Sequence, residues 1–315
     1  ADAAVVLKLG RSYSRVREAL ASAGRLDDAF YVERASTAGQ RVLPAADVNP
    51  EDVPYFSLAL LPGKSATPDH SPGVAVVGLG PGDRDWMTSE SRRELSAATD
   101  LIGYGPYLDR VPVRAGQHRH PSDNTDEPAR ARLACELAEQ GRRVAVVSSG
   151  DPGVFAMATA VLEEAEQWPG VIVRVIPAMT AAQAVASRAG APLGHDYAVI
   201  SLSDRLKPWD VIAGRISAAA SADLVLAIYN PASKSRTWQV ERMRDLVLER
   251  RDPDTPVIIG RDVGGSEESV RVVRLADLIP ADIDMRCLLI IGSSQSQWYE
   301  TSYGDVVFTP RRYPG

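Results

Sequence analysis

Three glycines and a proline follow a short apolar run, and this spacing suits a backbone loop that holds a ligand closely. The run Val74–Val77 has the composition of a buried parallel strand and leads into Gly78-Leu79-Gly80-Pro81-Gly82-Asp83. Glycine has no Cβ and tolerates positive φ, so the backbone of such a loop can approach a ligand. The segment therefore predicts a small-molecule site.

Two phosphate-binding motifs do not fit this loop. A P-loop ends in Gly-Lys-Ser/Thr, whereas this loop ends in Gly82-Asp83-Arg84. A dinucleotide fingerprint opens directly into a helix, whereas Pro81 interrupts here and the next helix signal begins near Thr88–Ser89. The acidic residue expected after the second strand is also missing. A plain strand-to-helix turn and a site for another ligand class remain as alternatives.

Strands and helices alternate over residues 74–190, which predicts a parallel sheet with helices on both faces. Ligands bind such sheets beyond the carboxyl ends of the strands. The loops at that edge are Gly78–Asp83, Tyr104–Tyr107, Ser148–Gly153 and Pro177–Thr180. They contain no lysine, so we expect a ligand held by backbone groups and a carboxylate such as Asp151.

The amino-acid composition argues against a nucleic-acid-binding protein and against a membrane-spanning protein. The 315 residues carry a net charge of −6, which argues against nucleic acid as the main partner, and no apolar run is long enough to span a membrane. Two cysteines, Cys135 and Cys287, lie in apolar contexts without metal-ligand spacing. We therefore expect buried thiols, no metal site and a reducing cytoplasm.

The chain divides into segments of different character. Residues 64–73 are polar and proline-rich, as in a linker. Residues 1–63 read as a weak copy of residues 222–294, and two predicted α/β domains cover 74–193 and 194–312, the second with a mixed sheet. The repeat and the first residue, Ala1, suggest a piece of a longer polypeptide that begins with the tail of a related enzyme.

Four motifs in this order resemble the tetrapyrrole (corrin) methylases that use S-adenosylmethionine. They are Gly78–Asp83, Ser149-Gly150-Asp151-Pro152, Pro177–Ala181 and Tyr229-Asn230-Pro231. The longer strings Ser148–Val154, Ala191–Asp204 and Leu226–Lys234 are similar to the branch that methylates precorrin-3B at C(17), over about residues 73–312. Residues 1–63 resemble the C-terminal half-domain of the branch that methylates precorrin-2 at C(20), as in fused enzymes of the two.

The resemblance implies two α/β domains with the active site in the cleft between them, in a homodimer. It also implies S-adenosylmethionine as the methyl donor, and the matching positions give its contacts as Gly80, Pro81, Ser149, Gly150, Asp151, Val154, Thr180, Ala181 and Asn230. Two positions depart from the family. Ala178 replaces a glycine, so its methyl group is expected to crowd the donor or shift the turn. Gly105 replaces an aspartate proposed as a base in relatives.

The implied reaction is methylation at C(17) with ring contraction, in cobalamin biosynthesis. Contraction removes a proton, and His195, Asp204 and His120 are the candidate bases. The acceptor carries many carboxylates, for which Tyr104, Arg110, Arg119, Arg205 and Lys234 are the candidate contacts, since arginine binds carboxylates in a bidentate manner. Residues 118–128 are expected to form a lid. A cobalt-containing acceptor and a non-catalytic tetrapyrrole carrier remain as alternatives.

Overall fold

The computed structural model describes residues 3–62, 72–82, 84–123, 126–233 and 236–313. The chain separates into two compact units, Ala1–His70 and Ser71–Gly315. Asp83, Lys234 and most of the predicted linker lie outside the described residues.

The first unit is an antiparallel sheet of four strands with one helix against it. Its elements in chain order are β1 (Ala4–Leu7), α1 (Tyr13–Ser22), β2 (Phe30–Glu33), β3 (Arg41–Pro44) and β4 (Ser57–Leu61), and the strand order is β1-β4-β2-β3. Tyr13 and Tyr31 are fully buried in its core, and the Tyr13 hydroxyl donates to the carbonyl of Ala45 at 2.6 Å. The side chains of Phe30, Val42 and Leu60 are exposed on these strands.

The second unit begins with an all-parallel sheet of five strands in the order β7-β6-β8-β5-β9. Its elements are β5 (Gly73–Gly78), α2 (Ser89–Ala97), β6 (Asp100–Tyr104), α3 (Gly105–Leu108), β7 (His118–Ser122), α4 (Glu127–Glu139), β8 (Arg143–Ser148), α5 (Met157–Ala165) and β9 (Val173–Ile176). The strands are apolar on both faces because helices cover both, with Val76, Val77 and Val146 fully buried.

A mixed sheet follows, in the order β11-β12-β15-β13-β14, and a small sheet joins β10, β17 and β16. The remaining elements are α6 (Ala181–Ala189), β10 (Gly190–Ala191), β11 (Tyr197–Ser201), α7 (Trp209–Ser221), β12 (Val225–Tyr229), α8 (Gln239–Leu248), β13 (Pro256–Arg261), β14 (Ser269–Arg274), β15 (Cys287–Ile291), β16 (Gln297–Thr301) and β17 (Gly304–Phe308). This architecture confirms the predicted α/β class with a parallel and then a mixed sheet.

The predicted repeat appears in the topology. The order β1-β4-β2-β3 recurs as β12-β15-β13-β14, with antiparallel pairing throughout both sets. In the second set, helix α6 packs its Ala182 and Val185 against a sheet face that includes Ile258 and Ile290. Helix α6 precedes the predicted boundary at 193/194 but packs on the sheet that follows it.

Several sequence predictions need correction. The lid expected at 118–128 contains the regular strand β7, paired in parallel with β6 over Asp100–Tyr104, and the start of α4. The helix expected from Val154 begins at Met157, because residues 149–156 form an irregular loop. The hairpin of β16 and β17 was not predicted. Within the described residues, no helix has the length and apolar character that crossing a membrane would require.

Candidate active site

The loops after β5 and β8 are joined by their own backbones. The Gly150 N–H donates to the Gly80 carbonyl at 2.9 Å, and the Gly80 N–H donates to the Gly150 carbonyl at 3.2 Å. Both glycines have positive φ, +71° and +66°, which other residues adopt only at a cost. A Cβ at Gly150 would meet only the Met179 carbonyl, at 4.0 Å, so the space beside this loop is open. The pairing builds a glycine-lined edge on which a ligand can lie.

Arg110 clamps these two loops together. Its Nη1 donates to Ser149 Oγ at 3.1 Å, and its Nη2 donates to the carbonyls of Leu79 at 3.1 Å, Gly80 at 2.7 Å and Gly82. Its guanidinium thus bonds to the loops, and its predicted contact with substrate carboxylates stays a prediction. Three of its four acceptors are main-chain carbonyl oxygens, and a sequence motif cannot identify such partners.

Asp151 also serves loop geometry. One carboxylate oxygen accepts from the Gly153 N–H at 2.8 Å, and the other accepts from the Ala178 N–H at 3.1 Å. The carboxylate thereby ties the loop after β8 to the loop after β9. The Ala178 methyl group points at Gly78, where an added Cβ would lie 2.7 Å from it. The absence of a side chain at Gly78 therefore makes room for this methyl group.

Tyr229 connects the second sheet to the start of α6. Its hydroxyl accepts from the Ala182 N–H at 2.9 Å and lies 2.6 Å from Thr180 Oγ1. Burial raises the pKa of Tyr229, against an opposing effect of these two hydrogen bonds, so the hydroxyl stays protonated at neutral pH. Tyr229 belongs to the Tyr229-Asn230-Pro231 motif, from which no role for its hydroxyl was predicted. A role for Tyr229 at the site could have been predicted from its position in the sequence. It is the last residue of an apolar strand and directly precedes the predicted donor contact Asn230.

Asn230 is held by the strand beside it. It has φ +48°, and its Nδ2 donates to Ser201 Oγ at 3.0 Å, at the carboxyl end of β11. Asparagine tolerates this left-handed conformation better than most residues do. The geometry brings Asn230 to the same edge of its sheet as Tyr229.

A second link between the two sheets runs through two glycines. A Cβ at Gly264 would lie 2.8 Å from Cα of Gly82 and 2.9 Å from Nε1 of Trp86. The Arg188 guanidinium lies over the Trp86 ring at 4.9 Å from its centroid and pairs with Glu268 at 2.6 Å. Glu268 in turn accepts from the Gly264 N–H at 2.6 Å. The end of the first loop is thus packed directly on the β13–β14 turn.

The three predicted bases lie in different places. Asp204 follows β11 at its carboxyl end, where its carboxylate accepts from Gln239 Nε2 at 3.1 Å and lies 3.8 Å from Arg236 Nε. Of the three, Asp204 is therefore the one found on the glycine-loop side of its sheet.

Neither histidine lies at the carboxyl end of a strand of the two large sheets. His195 precedes β11, where its Nδ1 accepts from the Asp196 N–H at 2.7 Å and its ring packs on Tyr313. His120 Nε2 lies 3.0 Å from Asp100 Oδ1, at the amino end of β6. The sequence did not show toward which end of the strands the rings of His195 and His120 extend.

The predicted acceptor contacts are also dispersed. Tyr104 ends β6 at the carboxyl edge and packs edge-on against Tyr107 at 5.2 Å. Arg119 donates to the carbonyls of Leu108, at 2.8 Å, and Val111, so it caps the short α3 instead of facing a ligand. Arg205 is exposed after β11, and Lys234 lies outside the described residues.

The other predicted donor contacts lie on the loops described above. Pro81 is next to Gly80, Val154 is on the loop before α5, and Ala181 is the first residue of α6. Phe155, which was not among the predicted site residues, has φ +51°, is half exposed and packs on the Tyr229 ring at 5.4 Å. In the described part of the chain, no group of three His, Cys, Asp or Glu side chains could hold a metal ion.

The chain matches one family of known proteins in its sequence. The sequence profile of the Tetrapyrrole (Corrin/Porphyrin) Methylases matches residues 73–279. The cobalamin biosynthesis protein CobIJ of Mycobacterium tuberculosis is 77% identical over 318 residues, which cover all of this chain and 63% of that protein. This chain thus spans less than two thirds of the length of that relative.

Shorter relatives match the second unit. The precorrin-3B C(17)-methyltransferase of a Sinorhizobium species is 45% identical over 245 residues, 76% of this chain and 96% of that protein. The probable cobalt-factor III C(17)-methyltransferase of Salmonella typhimurium is 39% identical over 244 residues, 76% of this chain and 99% of that protein.

Solved structures agree in fold. The crystal structure of the methyltransferase CobJ superposes with a TM-score of 0.72 at 44% identity, covering 76% of this chain and 100% of that chain. Uroporphyrin-III C-methyltransferase of Thermus thermophilus, solved with S-adenyl homocysteine, has a TM-score of 0.55 at 22% identity, covering 70% of this chain and 97% of that chain. The second similarity concerns the fold alone.

Proposed function

This chain belongs to the tetrapyrrole methylases, and we propose that it transfers a methyl group from S-adenosylmethionine to C(17) of precorrin-3B, with ring contraction, in cobalamin biosynthesis. The observation that carries the proposal is the 45% identity to a precorrin-3B C(17)-methyltransferase over 96% of that protein's length. The order of the four motifs along the second unit supports the same assignment.

The residues at the carboxyl edges fit the methyl donor. The glycine loops leave open space beside Gly150 and expose backbone groups, and the cationic Arg110 is occupied by loop oxygens. The residues that would hold the donor are Gly80, Pro81, Ser149, Gly150, Asp151, Val154, Thr180, Ala181 and Asn230. When bound, S-adenosylmethionine supplies a methyl group on a positively charged sulfur.

The protein's own contribution is alignment more than covalent chemistry. Transfer between two bound molecules gains most from holding donor and acceptor in line and excluding water. Arg110, Asp151 and Tyr229 suit this task because each ties one donor loop to another element. Ring contraction also needs a proton removed. Among the three predicted bases we propose Asp204, since it lies on the glycine-loop side of its sheet.

The test is a methyl-transfer assay followed by mass spectrometry. Protein, S-adenosylmethionine and precorrin-3B are incubated without oxygen, and the product should gain one methyl group, with S-adenosylhomocysteine formed in equal amount. A product of unchanged mass would refute the proposal. Binding of S-adenosylhomocysteine, measured by calorimetry, separates a methylase from a tetrapyrrole carrier, which need not bind the donor.

A cobalt-containing acceptor is the second candidate within this class. The 39% identity to a probable cobalt-factor III C(17)-methyltransferase over 99% of its length supports it. Turnover of the same macrocycle with and without inserted cobalt decides between the two. Because the Sinorhizobium relative is the more similar, we expect the metal-free acceptor to be used faster.

Three further proposals concern the longer polypeptide and its setting. Residues 1–63 would be the tail of a C(20)-methyltransferase, as the match to CobIJ along the whole chain supports. We also propose a homodimer in the cytoplasm. Light scattering on the native polypeptide measures its mass in solution, and a monomer would refute the dimer.

A further inference from the structure

Three cations on one segment lack an acidic partner. Arg205 and Lys207 follow β11, and Arg215 lies on α7; none of them has a carboxylate within ion-pair distance among the described residues. Lys207 is half-buried, and burial together with the positive charge of Arg215 lowers its pKa. In a chain with a net charge of −6, an unpaired and partly desolvated lysine is a costly feature unless an anion reaches it.

This lysine lies over an aromatic ring from the other sheet. The Lys207 ammonium is 5.7 Å from the centroid of the Phe155 ring. Phe155 is 50% exposed and has φ +51°, a conformation that strains a residue with a side chain. Leu206, next to Lys207, is 94% exposed. An exposed aromatic ring and an ammonium group therefore lie side by side, and an exposed leucine precedes the lysine in the chain.

Phe155 also borders the donor loops. Its ring packs on Tyr229 at 5.4 Å, and the Tyr229 hydroxyl bonds to Thr180 and Ala182. A molecule resting on Phe155 would thus lie beside the loops that would hold the methyl donor. This is where an acceptor must be placed for transfer.

We propose that Phe155 and Lys207 form the docking site for the acceptor, a flat macrocycle with peripheral carboxylates. The apolar ring of the acceptor rests on Phe155, and one of its carboxylates pairs with Lys207. This inference rests on the proposed function and deepens it. It also explains why a strained aromatic residue is kept half exposed at this edge.

The test compares four variants with the wild type. Phe155→Gly removes the ring and suits the positive φ, so the fold is not put at risk, and Phe155→Tyr keeps the ring. Lys207→Met removes the charge and keeps the length. Lys8→Met is the matched control, because Lys8 also lies over an aromatic ring, 5.9 Å from Tyr55, in the first unit.

Two ligands are titrated into each protein. Uroporphyrin III, an octacarboxylate tetrapyrrole, is followed by quenching of tryptophan fluorescence, and S-adenosylhomocysteine is followed by calorimetry. We expect Phe155→Gly and Lys207→Met to raise the Kd for the tetrapyrrole about fivefold to tenfold. Phe155→Tyr and Lys8→Met should stay within about twofold, as should the Kd for S-adenosylhomocysteine in every variant.

The outcomes separate the inference from the function it rests on. An unchanged tetrapyrrole Kd in Phe155→Gly or Lys207→Met overturns the inference, as does an equal loss of affinity for both ligands, which would mean a purely structural role. A wild-type protein that binds S-adenosylhomocysteine but no tetrapyrrole also overturns the docking site. A wild-type protein that fails to bind S-adenosylhomocysteine overturns the proposed function itself.

Discussion

At the level of single residues, the candidate site is built by side chains that form hydrogen bonds to the main chain of its loops. Arg110, Asp151 and Tyr229 each bond to main-chain groups of the loops that would carry the donor. Such residues position the backbone of a site, and a sequence motif for catalysis or binding does not identify this role. Their substitution should therefore weaken the binding of the methyl donor.

Arg110→Lys tests the clamp. Lysine keeps the charge but lacks the fork that reaches Ser149 and the Gly80 carbonyl at once. We expect the Kd for S-adenosylhomocysteine to rise about tenfold, which corresponds to about 1.4 kcal/mol. Arg114→Lys is the control, because Arg114 bonds to the Ser96 carbonyl away from the loops. Equal affinities in the two variants would show that the clamp does not position the donor loops.

Tyr229→Phe removes one hydroxyl and keeps the ring on Phe155. The Ala182 N–H and Thr180 Oγ1 lose their shared partner at the start of α6, and an unmade buried hydrogen bond costs about 1–3 kcal/mol. We expect weaker binding of S-adenosylhomocysteine by calorimetry and lower thermal stability. Tyr299→Phe, at an exposed position on β16, should change neither.

At the level of secondary-structure elements, the parts of the second unit that contain the two large sheets are in contact through glycines. Gly82 touches Gly264 in the turn after β13, and Trp86 packs beside Gly264 and Gly80. Helix α6 carries the Thr180–Ala182 segment at its start and packs its apolar face on the second sheet. The donor loops are therefore fixed by elements of both sheets.

Gly82→Ala tests this close approach. A methyl group at Gly82 would overlap the carbonyl of Gly264, and backbone cannot move aside as a flexible side chain can. We expect a loss of about 1–3 kcal/mol in the free energy of unfolding, measured with denaturant, and weaker binding of S-adenosylhomocysteine. Gly170→Ala should have little effect, because an added Cβ there meets nothing within 4 Å. Matching stabilities would contradict the observed contact.

At the scale of the whole molecule, each unit has its own buried core. In the second unit, Asp100 joins three segments at the amino-terminal side of the parallel sheet, bonding to Arg142 at 2.8 Å, His120 at 3.0 Å and Thr99 at 2.7 Å. Burial alone would raise the pKa of this carboxyl, but these hydrogen bonds outweigh burial and lower the pKa to about 2.

Asp100→Asn should therefore lose stability in a pH-dependent way. A carboxyl whose pKa is lower in the folded than in the unfolded protein stabilises the fold above its unfolded pKa of 3.8, and this contribution is lost as the pH falls toward about 2. We expect the variant to be about 2 kcal/mol less stable at pH 7, with the difference shrinking below about pH 4. Denaturant unfolding of the second unit at several pH values measures this.

Asp254→Asn is the control for that series, since Asp254 forms an exposed ion pair with Arg274. Its effect should stay within about 0.5 kcal/mol at every pH. A stability difference in Asp100→Asn that did not vary between pH 7 and pH 2 would show that the carboxylate charge contributes nothing.

The class of fold could be predicted from the amino-acid sequence, as could the loops at the carboxyl ends of the strands. Apolar strands such as Val74–Val77, alternating with helices, require a covered parallel sheet, and the glycines after them mark loops that need positive φ. These are local properties, governed by side-chain periodicity and backbone sterics. The same local signals gave the repeat between the first unit and the end of the second.

The hydrogen-bond partners of charged side chains such as Arg110 and Arg119 became known only from the three-dimensional structure. Arg110 and Arg119 look equally suited to a carboxylate in the sequence, yet each is taken up by carbonyl oxygens that folding brings to it. His195 precedes β11, and the ring of His120, in the middle of β7, bonds to Asp100 at the amino end of β6. The partner of a long polar side chain is set by groups distant in sequence, so pattern alone cannot determine it.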